Sequence, residues 1–316
     1  MKKHKGIIQF NTVIDNAFPE YEYYPSILNT AKVNGGWDMS LPNVTNKLGI
    51  VLHTQDNLNV APNDIVPEFV AIEDFYQDAN IGEIIVIHWN HRLNNIYNGV
   101  LKLIEFPTHS FDFIQHFSNR YNEWSHVSKK TNIINFMCLN GRPRKHRIMV
   151  YDYLKTLNIK SVITINGNGT SDPSMSYQNY DFDNVTNFIK LVELYQQTPV
   201  NIITETLYHD SRGILTEKLL QAVASLQLPI IIGHKGAVDD ARRYGFDMFD
   251  DVIDNSFDNL HNNIRWKKAI DLNIHILNNE FNYESLLPRL IKNQKYLLNE
   301  YPQLLIDNFN RQVELI

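Results

Sequence analysis

At 316 residues, with 43% hydrophobic, 20% charged and 11% aromatic side chains, the chain can bury one large core or two ordinary ones, which excludes a disordered protein and a small scaffold held by staples. Its single cysteine, Cys138, excludes an internal disulfide and a thiolate-clustered zinc centre, and a formal net charge of −6 argues against a general electrostatic grip on nucleic acid. No apolar run approaches the roughly 18 residues of a membrane span, and the basic start at residues 1–5 leads only into Gly6-Ile-Ile-Gln-Phe10, so a cytoplasmic protein without signal peptide or anchor is expected.

In chain order, short apolar runs predict buried strands at 48–53, 83–88, 133–139, 161–165, 200–203 and 229–233. Several lack alternation, as strands covered on both faces do. Helical patterns fall at 144–157, 182–196, 216–226 and 237–244, the last followed by Gly245 as a C′ residue. Strand and helix alternating through short joins imply parallel βαβ units. The polar stretch 119–131 marks a join, which divides the chain into an N-terminal α/β domain (1–128), a Rossmann-like domain (129–283) and a helical tail (284–316) broken near Pro302.

The segment Asn140-Gly-Arg-Pro-Arg-Lys-His-Arg147 follows a buried strand and opens a helix, with Pro143 suited to a first helical position. Arg142, Arg144, Lys145 and Arg147 then crowd positive charge at a helix start, against the macrodipole. A bound phosphate would resolve the conflict, because free backbone N–H groups and guanidinium forks both suit its oxygens. The plain alternative is a solvated basic turn paired with surface carboxylates. Neither glycine pattern of a Walker or dinucleotide fingerprint is present.

Further on, Glu205 closes a strand and Thr216 is positioned as an N-cap, which places Glu217 and Lys218 in the first helical turn. A carboxylate there can accept from ribose hydroxyls, and an ammonium can neutralise a diphosphate. A capped helix with a surface ion pair accounts for the same three residues without a ligand.

These two segments in this order resemble the nucleotide-binding half of the α-1,3-fucosyltransferase family and its exostosin-like relatives. The resemblance rests on Asn140, Arg142, Arg144 and Arg147 in the turn, Glu205 at the strand end, Thr216-Glu217-Lys218, and the strand from Leu228 and Pro229 to Gly233. It covers about residues 132–275, and departs from the family pattern at Thr204 and at Ile214-Leu215. It implies a GT-B arrangement, two Rossmann-like domains facing a cleft. It also implies a metal-independent transfer from a nucleotide-sugar such as GDP-fucose, a co-substrate and not a resident cofactor, to a saccharide acceptor. By the same resemblance Arg144 or Arg147 and Lys218 hold the diphosphate, while Glu205 and Glu217 contact ribose or donor sugar.

An inverting transfer needs a general base, expected on the N-terminal domain. His88 ends a strand where α/β sheets place ligands, and Glu105, Glu68 and Glu73 are alternatives. Asp181 and Asp183 have the Asp-x-Asp spacing of a Mg²⁺ or Mn²⁺ site, but Asp183 also suits a helix N-cap. His88 and His91 lack a third ligand for zinc. Two other functions fit the sequence. One is a phage-type transferase that glycosylates modified DNA bases, and the other a non-catalytic phosphate- or RNA-binding protein using the 142–147 patch.

Overall fold

Parallel strands organise the protein. The computed structural model describes residues 22–25, 47–51, 83–88, 102–119, 121, 130–141, 143–165, 190–206, 208–209 and 215–315. Two compact units divide the chain: Met1–Asp112 with Asp210–Arg212 and Gln303–Ile316, and Phe113–His209 with Gly213–Pro302.

In the first unit β1 (Glu22–Pro25), β2 (Lys47–Val51), β3 (Glu83–His88) and β4 (Lys102–Glu105) form a four-stranded parallel sheet in sequence order. Helix α1 (Thr108–Asn119) follows β4. Phe106 packs against Phe111 and Phe309 with ring centroids 5.2 and 5.4 Å apart, and Ile85 and Ile104 are fully buried. An edge strand leaves backbone groups that need partners. At the end of β4 the Gln312 amide supplies both: its Oε1 accepts from Glu105 N–H at 2.7 Å and its Nε2 donates to Glu105 C=O at 3.0 Å.

The second unit holds a four-stranded parallel sheet in the order β6-β5-β7-β8, built from β5 (Phe136–Asn140), β6 (Ser161–Ile165), β7 (Val200–Thr204) and β8 (Leu228–Ile232). Its helices are α2 (Lys145–Thr156), α3 (Val192–Gln197), α4 (Glu217–Ala224), α5 (Ala237–Arg243), α6 (Asn262–Asp271), α7 (Ile274–Leu277) and α8 (Tyr283–Asn299), and a last helix, α9 (Tyr301–Glu314), ends the chain. Every residue of β7 and β8 is buried; β8 accordingly reads as an unbroken apolar run, while the buried Asn201 and Thr204 of β7 are hydrogen-bonded to Gln227 and Asn140. The architecture is α/β with a parallel sheet, compatible with a Rossmann-like fold.

Helix α4 presents Leu219, Leu220 and Val223 to the core. Its C-terminal carbonyl groups are met from α8, where Gln294 Nε2 donates to Ala224 O at 2.6 Å and the Tyr283 hydroxyl to Leu226 O at 2.8 Å. Among the described residues no helix is long and apolar enough to cross a membrane. The helix expected over 182–196 is described only from 190 onward, as α3; 182–189 lie outside the described residues, as do the Asp181 and Asp183 pair, Glu68, Glu73 and His91.

Gly245 ends α5 with φ +89°, in the left-handed region, and a Cβ there would collide with the Tyr296 hydroxyl. That hydroxyl donates to Tyr244 O at 2.7 Å. Gly245→Ala should therefore destabilise the protein by about 1–3 kcal/mol, read as a lower urea midpoint at constant m-value. An unchanged midpoint would contradict the close packing of this turn.

Candidate functional site

The order β6-β5-β7-β8 reverses direction between β5 and β7. In open α/β sheets such a switch point opens a crevice outside the carboxyl ends of the strands, because the connections from the two strands leave to opposite sides. The connection after β5 is the basic turn opening α2, and the one after β7 leads to Thr216 and α4. Both segments singled out in the sequence thus flank one switch point.

The β5–β7 ladder registers Phe136 with Val200 and Met137 with Asn201. Toward the carboxyl ends side chains bridge the strands. Asn140 Nδ2 donates to Thr164 O on β6 at 3.0 Å, and the Thr204 hydroxyl on β7 donates to Asn140 Oδ1. Asn140 is 2% exposed, so it ties three strand ends together from within.

Helix α2 docks onto the end of β7 through its first turn. Arg147 Nη2 donates to Thr204 O at 3.1 Å and His146 Nε2 to Glu205 O at 2.9 Å. Both side chains are buried. Burial and the neighbouring Arg144 lower the Arg147 guanidinium, while the Glu205 and Glu217 carboxylates act in the opposite sense, which places both carboxylates within its electrostatic reach. Arg144 is half-buried and Lys145 exposed, while Arg142 lies outside the described residues.

Glu205 follows β7 with no solvent exposure. Its Oε1 accepts from Thr216 N–H at 3.1 Å, and its Oε2 from the Thr216 hydroxyl at 2.6 Å and Thr206 N–H at 3.3 Å. Thr216 is the N-cap of α4. Lys218 Nζ donates to Thr216 Oγ1 and to Glu217 Oε1, each at 3.0 Å, and the Lys218 and Glu217 side chains keep 22% and 13% of their surface exposed. Gly233 lies alongside: a Cβ there would stand 2.9 Å from Ala237 Cβ and 3.3 Å from Glu205 Cβ and Cγ.

Three buried residues complete this edge without having stood out in the sequence. Tyr208 stacks on His146 with centroids 4.8 Å apart, and the Arg265 guanidinium lies 4.6 Å from the Tyr208 ring centroid. Arg265 donates to the carbonyl oxygens of Gly233, Leu260 and Tyr208 at 2.7–3.1 Å. The signal available for Arg265 was its spacing from Ala269, one turn on, which puts it on the buried stripe of α6. His234 is fully buried and its Nε2 lies 2.6 Å from Asp240 Oδ2.

In the first unit, strand register pairs His88 with Glu105 at the carboxyl ends of β3 and β4. The two base candidates are therefore backbone neighbours. The His88 side chain lies outside the described residues.

Comparison of the chain with protein-family models, with curated proteins and with solved structures gives no match.

The chemistry of the second unit's edge follows from its charges. Two helix starts with positive ends, the buried Arg147, the half-buried Arg144 and the Lys218 ammonium surround the buried Glu205 and the paired Glu217. An anion with several oxygens fits that balance.

His146 adds a pH dependence. Burial, then the Arg147 charge, pushes its imidazole down to about 3. The unfolded chain takes up this proton near pH 6.5 and the folded protein only far lower, so the stabilisation from neutral His146 is complete above about pH 6.5 and is lost as pH falls toward 3. Between pH 6.5 and 4 the unfolding free energy of the wild type should fall more steeply than that of His146→Gln, by up to about 1.4 kcal/mol per pH unit. Parallel slopes in denaturant titrations would contradict a neutral buried His146.

Proposed function

We propose that the protein is a glycosyltransferase that moves a sugar from a nucleoside-diphosphate donor, GDP-fucose or a similar nucleotide-sugar, to a saccharide hydroxyl. The observation that carries this reading is the convergence of the Arg144–Arg147 turn and Thr216-Glu217-Lys218 on one switch point of a parallel sheet. The resemblance to the fucosyltransferase pattern supports it, since the same residues carry it.

In this reading the second unit holds the donor. Arg144, Arg147 and Lys218 neutralise the diphosphate, and Glu217 accepts from a ribose or sugar hydroxyl. The acceptor oxygen attacks the anomeric carbon as the bond from that carbon to the diphosphate oxygen breaks, and the bonding electron pair leaves with the nucleotide. Negative charge grows on the departing diphosphate, where fixed cations stabilise it more in the transition state than in the ground state. The acceptor proton passes to a base on the first unit, His88 or Glu105. The two units then correspond to the halves of a GT-B enzyme.

Thermal shifts with GDP, UDP, ADP, dTDP and CMP and their sugar conjugates, with and without EDTA, test the donor site. A nucleotide at 100 times its Kd should stabilise the wild type by about 2.7 kcal/mol, insensitive to EDTA, and Lys218→Ala should abolish the shift. No shift with any nucleotide in a folded sample would overturn the donor reading and move the basic turn to the nucleic-acid readings.

A further inference from the structure

Resting on that reading, we propose that Glu205 is a positioning residue: its buried carboxylate fixes the Lys218 ammonium through Thr216 and does not touch the ligand. This departs from the ribose or sugar contact that the resemblance implies for it.

The geometry forms a directional chain. A carboxylate only accepts, so the Thr216 hydroxyl must donate its one proton to Glu205 Oε2, 2.6 Å away. The hydroxyl oxygen then has lone pairs alone to offer the helix, and it accepts from Lys218 Nζ at 3.0 Å and, more distantly, from Lys218 N–H at 3.5 Å. Glu217 Oε1 takes a second ammonium proton at 3.0 Å. An ammonium has three protons, and these two bonds aim the third. The carboxylate also holds the backbone of the capping residue through Thr216 N–H at 3.1 Å. One buried group therefore sets both the start of α4 and the direction of its lysine.

Three features show that Glu205 is built into this role and not exposed to a ligand. It has no solvent exposure. Its oxygens already receive Thr206 N–H, Thr216 N–H and Thr216 Oγ1–H. Its Cβ and Cγ run beside Gly233, where a Cβ would stand 3.3 Å from each of them, a tight contact.

The polarity of the chain makes it testable. Glu205→Gln keeps the shape but turns one acceptor into an NH₂ that opposes either Thr216 N–H or both Thr206 N–H and the Thr216 hydroxyl proton. Thr216→Val removes the link, and Thr216→Ser keeps it. Calorimetric titration with GDP and with inorganic pyrophosphate, which has no ribose or sugar, gives the first readout. Glu205→Gln and Thr216→Val should each weaken both probes by about tenfold, as expected for a misaligned charged hydrogen bond. The double variant should bind no more weakly than the worse single one, and Thr216→Ser should stay within about twofold of wild type. A loss confined to GDP, additive with Thr216→Val, would overturn the proposal in favour of a direct ribose contact. If Glu205→Gln does not fold, Thr216→Val and Thr216→Ser carry the same comparison.

Hydrogen exchange gives a readout that needs no ligand. In Thr216→Val, and in Glu205→Gln where it folds, the amides of residues 216–218 should exchange faster while those of β7 keep their wild-type rates. If the wild type binds neither probe, the donor reading falls while faster exchange at 216–218 still upholds the positioning role; unchanged exchange there overturns it.

Discussion

A carboxylate removed from water must be met by donors and by positive charge, and the carboxyl edge of the second sheet is arranged around one such group. Glu205 receives the backbone and hydroxyl of Thr216 and the backbone of Thr206, and Arg147 lies within its electrostatic reach. The neighbouring elements follow from that requirement. Helix α4 starts where Thr216 can reach the carboxylate, helix α2 sets Arg147 and His146 against the carbonyl groups of Thr204 and Glu205, and Gly233 leaves room for the side chain. Removing one partner of a buried charged pair leaves the other uncompensated, which is the costly change.

The pattern of apolar runs located the sheet strands because strands buried on both faces have few alternatives. The runs at 83–88 and 161–165 coincide with β3 and β6 residue for residue. The run at 133–139 starts too early: Asn135 directs its side chain to Leu277 O and its N–H to Lys160 O, and the sheet begins at Phe136. Strands β1 and β4, four residues each, are too short for a period to emerge. Helix α6 escaped notice because a buried arginine breaks its apolar stripe, with carbonyl oxygens replacing the carboxylate that a charged core residue would lead one to seek. The N-cap at Thr216 and the left-handed Gly245 were legible, since caps depend on local chemistry.

The functional edge was legible in its parts and not in its wiring. Basic residues at a helix start and a Thr-Glu-Lys cap are sequence features, but the chain from Glu205 through Thr216 to Lys218 joins residues up to 13 positions apart across a connection that only the fold closes. Charge sign separates this edge from a hollow elsewhere on the unit. The open hollow of about 530 Å³ bordered by Arg242, Asp250, Asp251 and Asp254 is acidic. Asp250 and Asp251 and the nearby Asp239 and Asp247 are engaged by Arg242 and Arg289 in ion pairs that hold the loop after α5 against α8. Such a surface repels a diphosphate, whereas the switch point gathers arginine, lysine and two helix starts.

The most direct measurement is phosphorus NMR of GDP titrated with the protein, because it watches the two phosphoryl groups themselves. With the wild type both phosphorus resonances should shift and broaden, and with the Arg144→Gln/Lys218→Gln double variant, folded by circular dichroism, both should stay at their free positions. Resonances unmoved by the wild type, or moved equally by the double variant, would contradict a diphosphate site between α2 and α4.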